Sequence, residues 1–315
     1  MSEQLEQMQF RSSNGVDTVR AYILPTPAEQ PRGIVQIVHG MCEYIGRYEE
    51  MMRILAQNGY IVCGHDHIGH GASIGKNGPG YFADRDGWDC LVRDARQLTI
   101  LIRGRYPSLP VYLFGHSMGS FVAREYITRY RDLAGVILSG TGGANPLAGV
   151  GLGLVEALRR TRGGHYRSGL VNGMAFGSFN RAFPDAVTDH DWLTRDPAEV
   201  ARYEADPLCS FVFTVSAYGD LMRLIRRVSG RQWARRVPRE LPVFLYSGDH
   251  DPVGGMGKGV TQVFGWLADA GVEHLKMKLY RDGRHEMHNE LNRAEVYRDI
   301  LSFLRMAGRA EAKQK

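Results

Sequence analysis

The stretch Val111-Tyr112-Leu113-Phe114-Gly115-His116-Ser117-Met118-Gly119 decides how this chain is expected to fold. Its first four residues form an apolar run typical of a buried strand, and residues 118–130 have helical periodicity. The glycines on either side of Ser117 allow a sharp turn from strand into helix, because bulkier residues there would clash with neighbouring backbone. A G-x-S-x-G pattern between strand and helix predicts a nucleophilic serine exposed at the carboxyl edge of a sheet.

Strands and helices alternate around this turn. Before residue 140, apolar runs predict strands at 33–38, 60–64, 111–114 and 135–139, and helical stretches lie at 47–58, 88–106 and 118–130. After residue 240, strands at 241–246 and 276–280 alternate with helices at 260–270 and 291–306. This alternation predicts a mostly parallel central sheet flanked by helices. A β-hairpin is expected to precede it, over residues 9–24.

The hundred or so residues between the two series do not continue the sheet. We interpret residues 143–239 as an inserted, mainly helical cap (lid) domain, and residues 1–142 together with 240–315 as one core domain. The composition, 43% hydrophobic and 23% charged, is that of a globular protein with a large core. No apolar stretch reaches the roughly 20 residues that a membrane-spanning helix needs.

The cysteines indicate a reducing compartment. Cys42, Cys63, Cys90 and Cys209 are scattered, without a C-x-x-C pair. This spacing predicts free thiols and a cytoplasmic protein. Residues 1–9 contain two glutamates and no basic start followed by an apolar run, so no secretory signal is expected.

The net charge of +5 is concentrated in the predicted cap. Residues 143–239 contain 14 Arg and no Lys against 9 Asp plus Glu, whereas the remainder holds 25 basic and 25 acidic residues. Such a segment can attract an anionic membrane surface or an anionic substrate. Alternatively, it is a solvated face whose arginine stems cover apolar surface. No nucleic-acid partner is expected, because no recognised binding motif accompanies the charge.

A reactive serine needs a base to remove its proton and an acid to orient that base. The loops after the strands at 241–246 and 276–280 offer both, and they leave the carboxyl ends of strands, where sites in parallel sheets form. We predict Ser117 as nucleophile, Asp251 as acid and His285 as base. Asp249 is the alternative acid and His288 the alternative base.

Two backbone groups are predicted to form an oxyanion hole. The tetrahedral intermediate of acyl transfer needs preorganised donors, usually two backbone N–H groups. Met118 follows the nucleophile and Met41 follows His39-Gly40, so their N–H groups are the predicted pair.

The tract His65-Asp66-His67-Ile68-Gly69-His70 has closely spaced histidines of the kind that bind metal. A binuclear metallohydrolase signature requires an aspartate where Gly69 stands, and no second cluster of ligands accompanies the tract. We therefore predict a structural loop, with no metal and no cofactor.

Taken together, these segments resemble the monoacylglycerol lipase and lysophospholipase branch of the α/β-hydrolase superfamily. The matching pieces are His39-Gly40-Met41-Cys42-Glu43-Tyr44-Ile45-Gly46-Arg47-Tyr48, residues 65–73, the Ser117 turn and the loops of Asp251 and His285. The resemblance implies an α/β-hydrolase fold and cofactor-free cleavage of a small lipid ester through an acyl-enzyme. Lysophospholipase, general carboxylesterase, peptidase and acyltransferase are alternative activities. A non-catalytic ligand-binding receptor is the alternative outside enzymes.

The resemblance also implies a head-group site. Members of the branch hold glycerol with a glutamate and an arginine after the oxyanion turn and a histidine three positions after the catalytic one. Glu43, Arg47 and His288 stand at those positions, which favours a monoacylglycerol substrate. A structural ion pair between Glu43 and Arg47 is the alternative.

The predicted cap has two features that bear on the substrate. Its aromatic residues either line an acyl channel or fill the cap core: Phe176, Phe179, Phe183, Phe211 and Phe213. Its arginines Arg223, Arg226, Arg227 and Arg231 favour the lysophospholipase alternative, because they would bind a phosphate. We also expect the cap to contact the membrane surface where lipid substrates reside.

Overall fold

Eight strands form one sheet in the computed structural model, which describes residues 5–144 and 148–314. They are β1 (Glu6–Arg11), β2 (Thr18–Leu24), β3 (Gly33–Val38), β4 (Tyr60–His65), β5 (Val111–His116), β6 (Gly135–Ser139), β7 (Val243–Gly248) and β8 (Leu275–Tyr280). Their order is β1-β2-β4-β3-β5-β6-β7-β8. Only the pairs β1–β2 and β2–β4 are antiparallel, so the predicted mostly parallel sheet is confirmed.

Ten α-helices accompany the sheet in the described part of the chain. They are α1 (Glu49–Gln57), α2 (Gly87–Arg105), α3 (Met118–Arg129), α4 (Ala148–Arg162), α5 (Gly169–Phe176), α6 (Pro197–Ala205), α7 (Val215–Arg227), α8 (Arg231–Ala234), α9 (Lys258–Asp269) and α10 (Arg293–Gln314). None of them is long and apolar enough to span a bilayer. All four cysteines are free and buried, as predicted.

The central strands are buried on both faces. Every residue of β3 and of β5 is buried, which is why both sequences are nearly continuous apolar runs. Successive side chains point to opposite faces of a strand. Tyr112 and Phe114 therefore pack in the core beneath α1 and α10, while Leu113 packs in the core beneath α2, α3 and α9.

The strand register brings the candidate site loops together. Val38 pairs with Gly115, His116 with Ser139, Ser139 with Tyr246, and Gly248 with Tyr280. The carboxyl ends of β3, β5, β6, β7 and β8 are thus level with one another. The loops that leave them meet at one edge of the sheet, where sites of parallel sheets form.

Between β6 and β7 every described element is helical. Among these elements, α7 packs against α2, α3 and α4. The boundaries predicted for the cap, 143–239, and for the core domain remain a prediction.

Buried Arg124 of α3 ties both ends of this helical segment to the helix that follows Ser117. Its guanidinium donates to the carbonyl oxygen of Gly142 at 2.8 Å and to that of Val228. It also lies 4.4 Å from the ring centroid of Trp233. Burial lowers the pKa of Arg124 to about 9.

Candidate active site

Ser117 occupies the turn between β5 and α3 in a conformation that residues other than glycine rarely adopt. Its φ and ψ angles are 52° and −120°, so the turn holds the serine under strain. Gly119 follows where α3 touches the end of β3. A Cβ at residue 119 would overlap the carbonyl oxygen of Val38 and lie 2.5 Å from that of His39. Only glycine fits there, which accounts for the second glycine of the G-x-S-x-G pattern.

His285 and Asp251 are in contact beside this turn. Nδ1 of His285 lies 3.0 Å from Oδ1 of Asp251. Because a carboxylate only accepts, Nδ1 carries the hydrogen and Nε2 is left to accept a proton. The ring of His285 lies 4.7 Å, between centroids, from that of His116, the residue before Ser117. The structure thus places the predicted base and acid in contact with each other and next to His116, the residue before Ser117.

The surroundings of this pair strengthen the base. Burial raises the pKa of the Asp251 carboxyl, but His285 and hydrogen bonds from the Ser247 hydroxyl (2.5 Å) and the Val253 N–H (2.9 Å) bring it below its usual value. Burial likewise lowers the pKa of His285, and the Asp251 carboxylate outweighs this effect, so the pKa lies above its ordinary value. His285 is therefore a stronger base than a free histidine.

The alternative acid and base have other partners. Oδ1 of Asp249 lies 2.6 Å from Nδ1 of His250, towards solvent. His288 is buried and stacks on the ring of Tyr48 at a centroid distance of 4.5 Å. Neither ring nitrogen of His288 has a hydrogen-bond partner among the described residues. Of these candidates, Asp251 and His285 are the two that hydrogen-bond to each other.

The turn after β3 lies against the nucleophile. A Cβ at Gly40 would lie 3.1 Å from Cβ of Ser117 and 2.6 Å from a carboxylate oxygen of Glu43, so no side chain fits there. The backbone N–H of Met41 has no acceptor within residues 5–144 and 148–314. The N–H of Met118 begins α3, where N–H groups lack intrahelical partners. Both predicted donors are therefore available for an oxyanion.

Of the residues predicted to hold a head group, Glu43 and His288 are buried and Arg47 is partly buried. Arg47 donates to both carboxylate oxygens of Glu286, at 2.5 and 2.7 Å, and lies 3.5 Å from Glu43. The ion pair given as the alternative role is therefore present. Burial and the nearby Glu286 raise the pKa of Glu43 to about 7, although Arg47 opposes the rise. Head-group binding by these residues stays a prediction.

Trp192 belongs to the site, although the sequence analysis did not predict it. Its centroid lies 5.2 Å from that of His285, and its carbonyl oxygen accepts the His285 N–H at 3.4 Å. Phe176 and Phe179 pack on its ring at 6.2 and 4.9 Å. Trp192 belongs to no motif, and no pattern in the sequence marked it.

The aromatic residues predicted for the cap divide into two groups. Phe176, Phe179 and Phe183 cluster with Trp192 near the base. Phe211 and Phe213 instead pack on each other and on the ring of His70, and Phe213 is fully buried. The first group lies near His285, and its role in lining an acyl channel stays a prediction.

The histidine tract at residues 65–70 forms a buried loop. Asp66 accepts backbone hydrogen bonds from Ile45 and Ala72, at 2.9 and 2.8 Å, and burial lowers the pKa of both His65 and His70 to about 4. Among the described residues, one group offers ligand atoms close enough to share a cation: Asp249, His250 and Asp282. These side chains lie towards solvent, and acidic groups often meet there without an ion.

Comparison with known proteins places the chain in a family. The family model described as Hydrolase_4, serine aminopeptidase S33, matches residues 29–292. The chain belongs to this α/β-hydrolase family. A monoacylglycerol lipase of Mycolicibacterium smegmatis is 29% identical over 295 residues, which cover 92% of this chain and 94% of that protein.

Two more similar proteins align over nearly their full length. A phospholipase of Bacillus subtilis is 24% identical, covering 88% of this chain and 96% of its own. A thermostable carboxyl esterase from Bacillus coagulans, solved in complex with glycerol, is 33% identical with a TM-score of 0.92, covering 98% of this chain and 100% of that one. The resemblance to the monoacylglycerol lipase branch is confirmed, and this α/β-hydrolase is an enzyme.

Proposed function

We propose that this α/β-hydrolase cleaves carboxylic esters through an acyl-enzyme on Ser117 and that monoacylglycerols are its preferred substrates. The observation that carries the proposal is the hydrogen bond between His285 and buried Asp251 beside the strained Ser117 turn. This contact holds the imidazole in the tautomer whose Nε2 is a base.

In the first half of the proposed reaction, Oγ of Ser117 attacks the ester carbonyl carbon while His285 takes the hydroxyl proton. The N–H groups of Met41 and Met118 donate to the oxyanion that forms. The bond to the alcohol oxygen then breaks, and His285 returns the proton to the departing alcohol. In the second half, His285 deprotonates a water that attacks the acyl-enzyme, which releases the fatty acid. Asp251 stabilises the imidazolium in both halves.

Two observations support a monoacylglycerol over a lysophospholipid. The named relatives include a monoacylglycerol lipase and an esterase in complex with glycerol. Three of the four arginines expected to attract a phosphate are paired with carboxylates: Arg223 with Glu156, Arg227 with Glu125 and Arg231 with Asp269. The phospholipase relative keeps lysophospholipids as the second candidate substrate.

The outer face of α5 supports contact with a lipid surface. This helix has no charged residue, and Leu170 and Met174, one turn apart, are 64% and 55% exposed. Val171, the next residue after Leu170, is buried. A helix with apolar residues on its solvent side suits the boundary of a membrane. We propose that α5 rests on the membrane from the cytoplasmic side.

The test is hydrolysis by purified protein combined with labelling of the nucleophile. The wild type is expected to hydrolyse a monoacylglycerol faster than lysophosphatidylcholine or an aminoacyl anilide. It is also expected to react with a fluorophosphonate probe, and Ser117→Ala should abolish both hydrolysis and labelling.

A folded wild-type protein that takes no label and cleaves no ester would contradict the proposal and favour a receptor. Faster turnover of lysophosphatidylcholine would replace the proposed substrate. Ser120→Ala is the matched control, because Ser120 lies one helical turn away and donates to a carbonyl. This variant should keep the label.

A further inference from the structure

The two peptide groups on either side of Gly40 are held by buried side chains. In the first, the His39 carbonyl oxygen lies 3.2 Å from Nε2 of His67, and the Gly40 N–H donates to Glu43. In the second, the Gly40 carbonyl oxygen lies 2.8 Å from Nδ1 of His39. Of these two carbonyl groups and two N–H groups, one has no hydrogen-bond partner among the described residues. It is the N–H of Met41, which has no acceptor in the described part of the chain.

The hydrogen bonds of His39 define its protonation state. A carbonyl oxygen only accepts, so Nδ1 of His39 donates to Gly40. A backbone N–H only donates, and that of His67 points at Nε2 of His39 at 2.8 Å, so Nε2 carries no hydrogen. A single neutral tautomer satisfies both bonds. Burial agrees with this state, because it keeps the pKa of His39 well below its ordinary value.

These bonds fix the direction of the free N–H. A peptide group is planar and trans, so its carbonyl and its N–H point in opposite directions. The bond from His39 to the Gly40 carbonyl therefore aims the Met41 N–H the opposite way. Glycine rotates freely about its Cα, so this plane would turn if only one side of Gly40 were held. Glu43 holds the other side.

We propose that His39 and Glu43 are positioning residues that aim the Met41 N–H at the oxyanion. The inference rests on the proposed function, since it assigns these side chains to the same acyl transfer. A donor aimed before the reaction needs no reorganisation when negative charge develops, which is the main source of its effect on rate. Glu43 then acts through the turn, whereas the resemblance assigned it to the head group.

Further contacts connect Glu43 to the base. The Tyr48 hydroxyl donates to the same carboxylate at 2.7 Å, and Arg47 lies between Glu43 and Glu286, the residue after His285. The turn after β3 and the loop that carries His285, residues 281–292, therefore share one network. This second loop is called the histidine loop below. A change at Glu43 is expected to alter the turn first, because its bond to Gly40 is direct.

The test separates the reach of Glu43 from its charge. Glu43→Asp keeps the charge but is one methylene too short for the Gly40 N–H, whereas Glu43→Gln keeps an acceptor at full reach. Glu43→Asp is expected to lower kcat about tenfold to a hundredfold for both p-nitrophenyl butyrate and a monoacylglycerol, with KM changed less than about twofold. Glu43→Gln is expected to stay within about threefold of the wild-type kcat.

The choice of substrates separates positioning from head-group binding. Because p-nitrophenyl butyrate carries no glycerol, a head-group ligand would leave its kcat unchanged. With the matching thionoester, whose sulfur accepts weaker hydrogen bonds, the deficit of Glu43→Asp should shrink. An effect confined to the KM of the monoacylglycerol, or a wild-type kcat in Glu43→Asp, overturns the inference.

A matched control is Glu125→Asp, another fully buried glutamate, whose partners include Arg129 of α3 and Arg227 of α7. Its kcat should equal that of the wild type. If the Glu43 variants do not fold, His39→Asn, whose amide N–H reaches the Gly40 carbonyl, should keep a higher kcat than His39→Gln. Equal kcat values overturn the inference. Turnover by Ser117→Ala would instead contradict the proposed function. It would not bear on the hydrogen bonds that hold Gly40.

Discussion

The loops at the carboxyl edge of the sheet and the helical segment between β6 and β7 make different contributions to the site. The loops carry the titratable groups, which are buried and hydrogen-bonded, as Asp251 and His285 show. The helical segment contributes aromatic rings and backbone carbonyls: those of Trp192 and Leu193 accept the N–H groups of His285 and Glu286, at 3.4 and 2.7 Å. We infer that the chemistry belongs to the loops, and we propose that the helical segment orients the base and shapes the space for the acyl chain.

The helical segment itself has two unlike parts. Residues 191–195 are bonded to the histidine loop, where Arg195 pairs with Glu290 at 3.0 Å and the Thr194 hydroxyl donates to the Asn289 carbonyl at 3.0 Å. In contrast, α5 exposes apolar side chains to solvent. We expect changes in the first part to affect catalysis and changes at the exposed residues Leu170 and Met174 of α5 to affect only lipid contact.

The largest effect is expected at Asp251. If Asp251 were dispensable, the loops at the carboxyl edge would not carry the chemistry. Asp251→Asn removes the carboxylate charge that stabilises the His285 imidazolium and replaces one acceptor oxygen by a donor, so kcat for p-nitrophenyl butyrate is expected to fall on the order of 10³- to 10⁴-fold. Asp249→Asn is the matched control, because Asp249 contacts His250 and not the base. Equal losses in the two variants, or a normal kcat in Asp251→Asn, would contradict the account.

The pH dependence tests the same loop without a substitution. His285 is a base only when neutral, and its pKa lies above the ordinary 6.5. Therefore kcat/KM should fall as the pH is lowered through one step with its midpoint above 6.5. Burial lowers the pKa of His39, His116 and His288, which stay neutral and add no step. Protonation of Glu43, whose pKa is about 7, neutralises it as Glu43→Gln does and is expected to change the rate by no more than about threefold. A pH–rate profile with its midpoint below 6.5 would show that the pair does not act as described.

Arg284→Ala tests the contact between the histidine loop and the helical segment. Arg284 donates to the carbonyls of Asp191 and Thr194, at 2.5 and 3.3 Å, and lies 4.2 Å from the ring centroid of Phe183. Its loss is expected to lower kcat/KM for a long-chain ester about tenfold and Tm by several degrees. Arg281→Ala, at a side chain 92% exposed, should change neither quantity. Unchanged kcat/KM in Arg284→Ala would show that the helical segment does not orient the base.

The smallest effect is expected on the outer face of α5. Replacing Leu170 and Met174 together by serine removes apolar surface, so binding to phosphatidylcholine vesicles should weaken about threefold to tenfold. Hydrolysis of soluble p-nitrophenyl butyrate should be unchanged. Val16→Ser, another exposed apolar position, is the control for vesicle sedimentation. A loss of soluble esterase activity in the double variant would remove the distinction between the two parts of the segment.

The sheet and its site loops were predictable because their signals are local. Apolar runs, turns and strand order place the loops after β5, β7 and β8 at one edge, which predicts that residues such as Asp251 and His285 are neighbours. The glycine at 119 is explained by one backbone contact in the turn. The helices described between β6 and β7 also follow from local patterns.

The contributions of Trp192 and Glu43 were not predictable in the same way. Trp192 reaches the base because the helical segment docks on the histidine loop, and docking is a tertiary property that no motif records. The sequence shows that Glu43 follows the oxyanion turn, but not that its carboxylate folds back onto Gly40. The last helix also runs to Gln314, beyond the predicted end at 306, because residues 309–314 are mostly strong helix formers and one glycine does not stop them.

The central claim is that an ester passes its acyl group to Ser117. It is tested most directly by mixing the enzyme with excess monoacylglycerol, quenching with acid within milliseconds to seconds and locating adducts by peptide mass spectrometry. The account predicts one adduct with the mass of the acyl group, on the peptide that contains Ser117. Rapid hydrolysis with no adduct there, or an adduct on a different side chain, would contradict it.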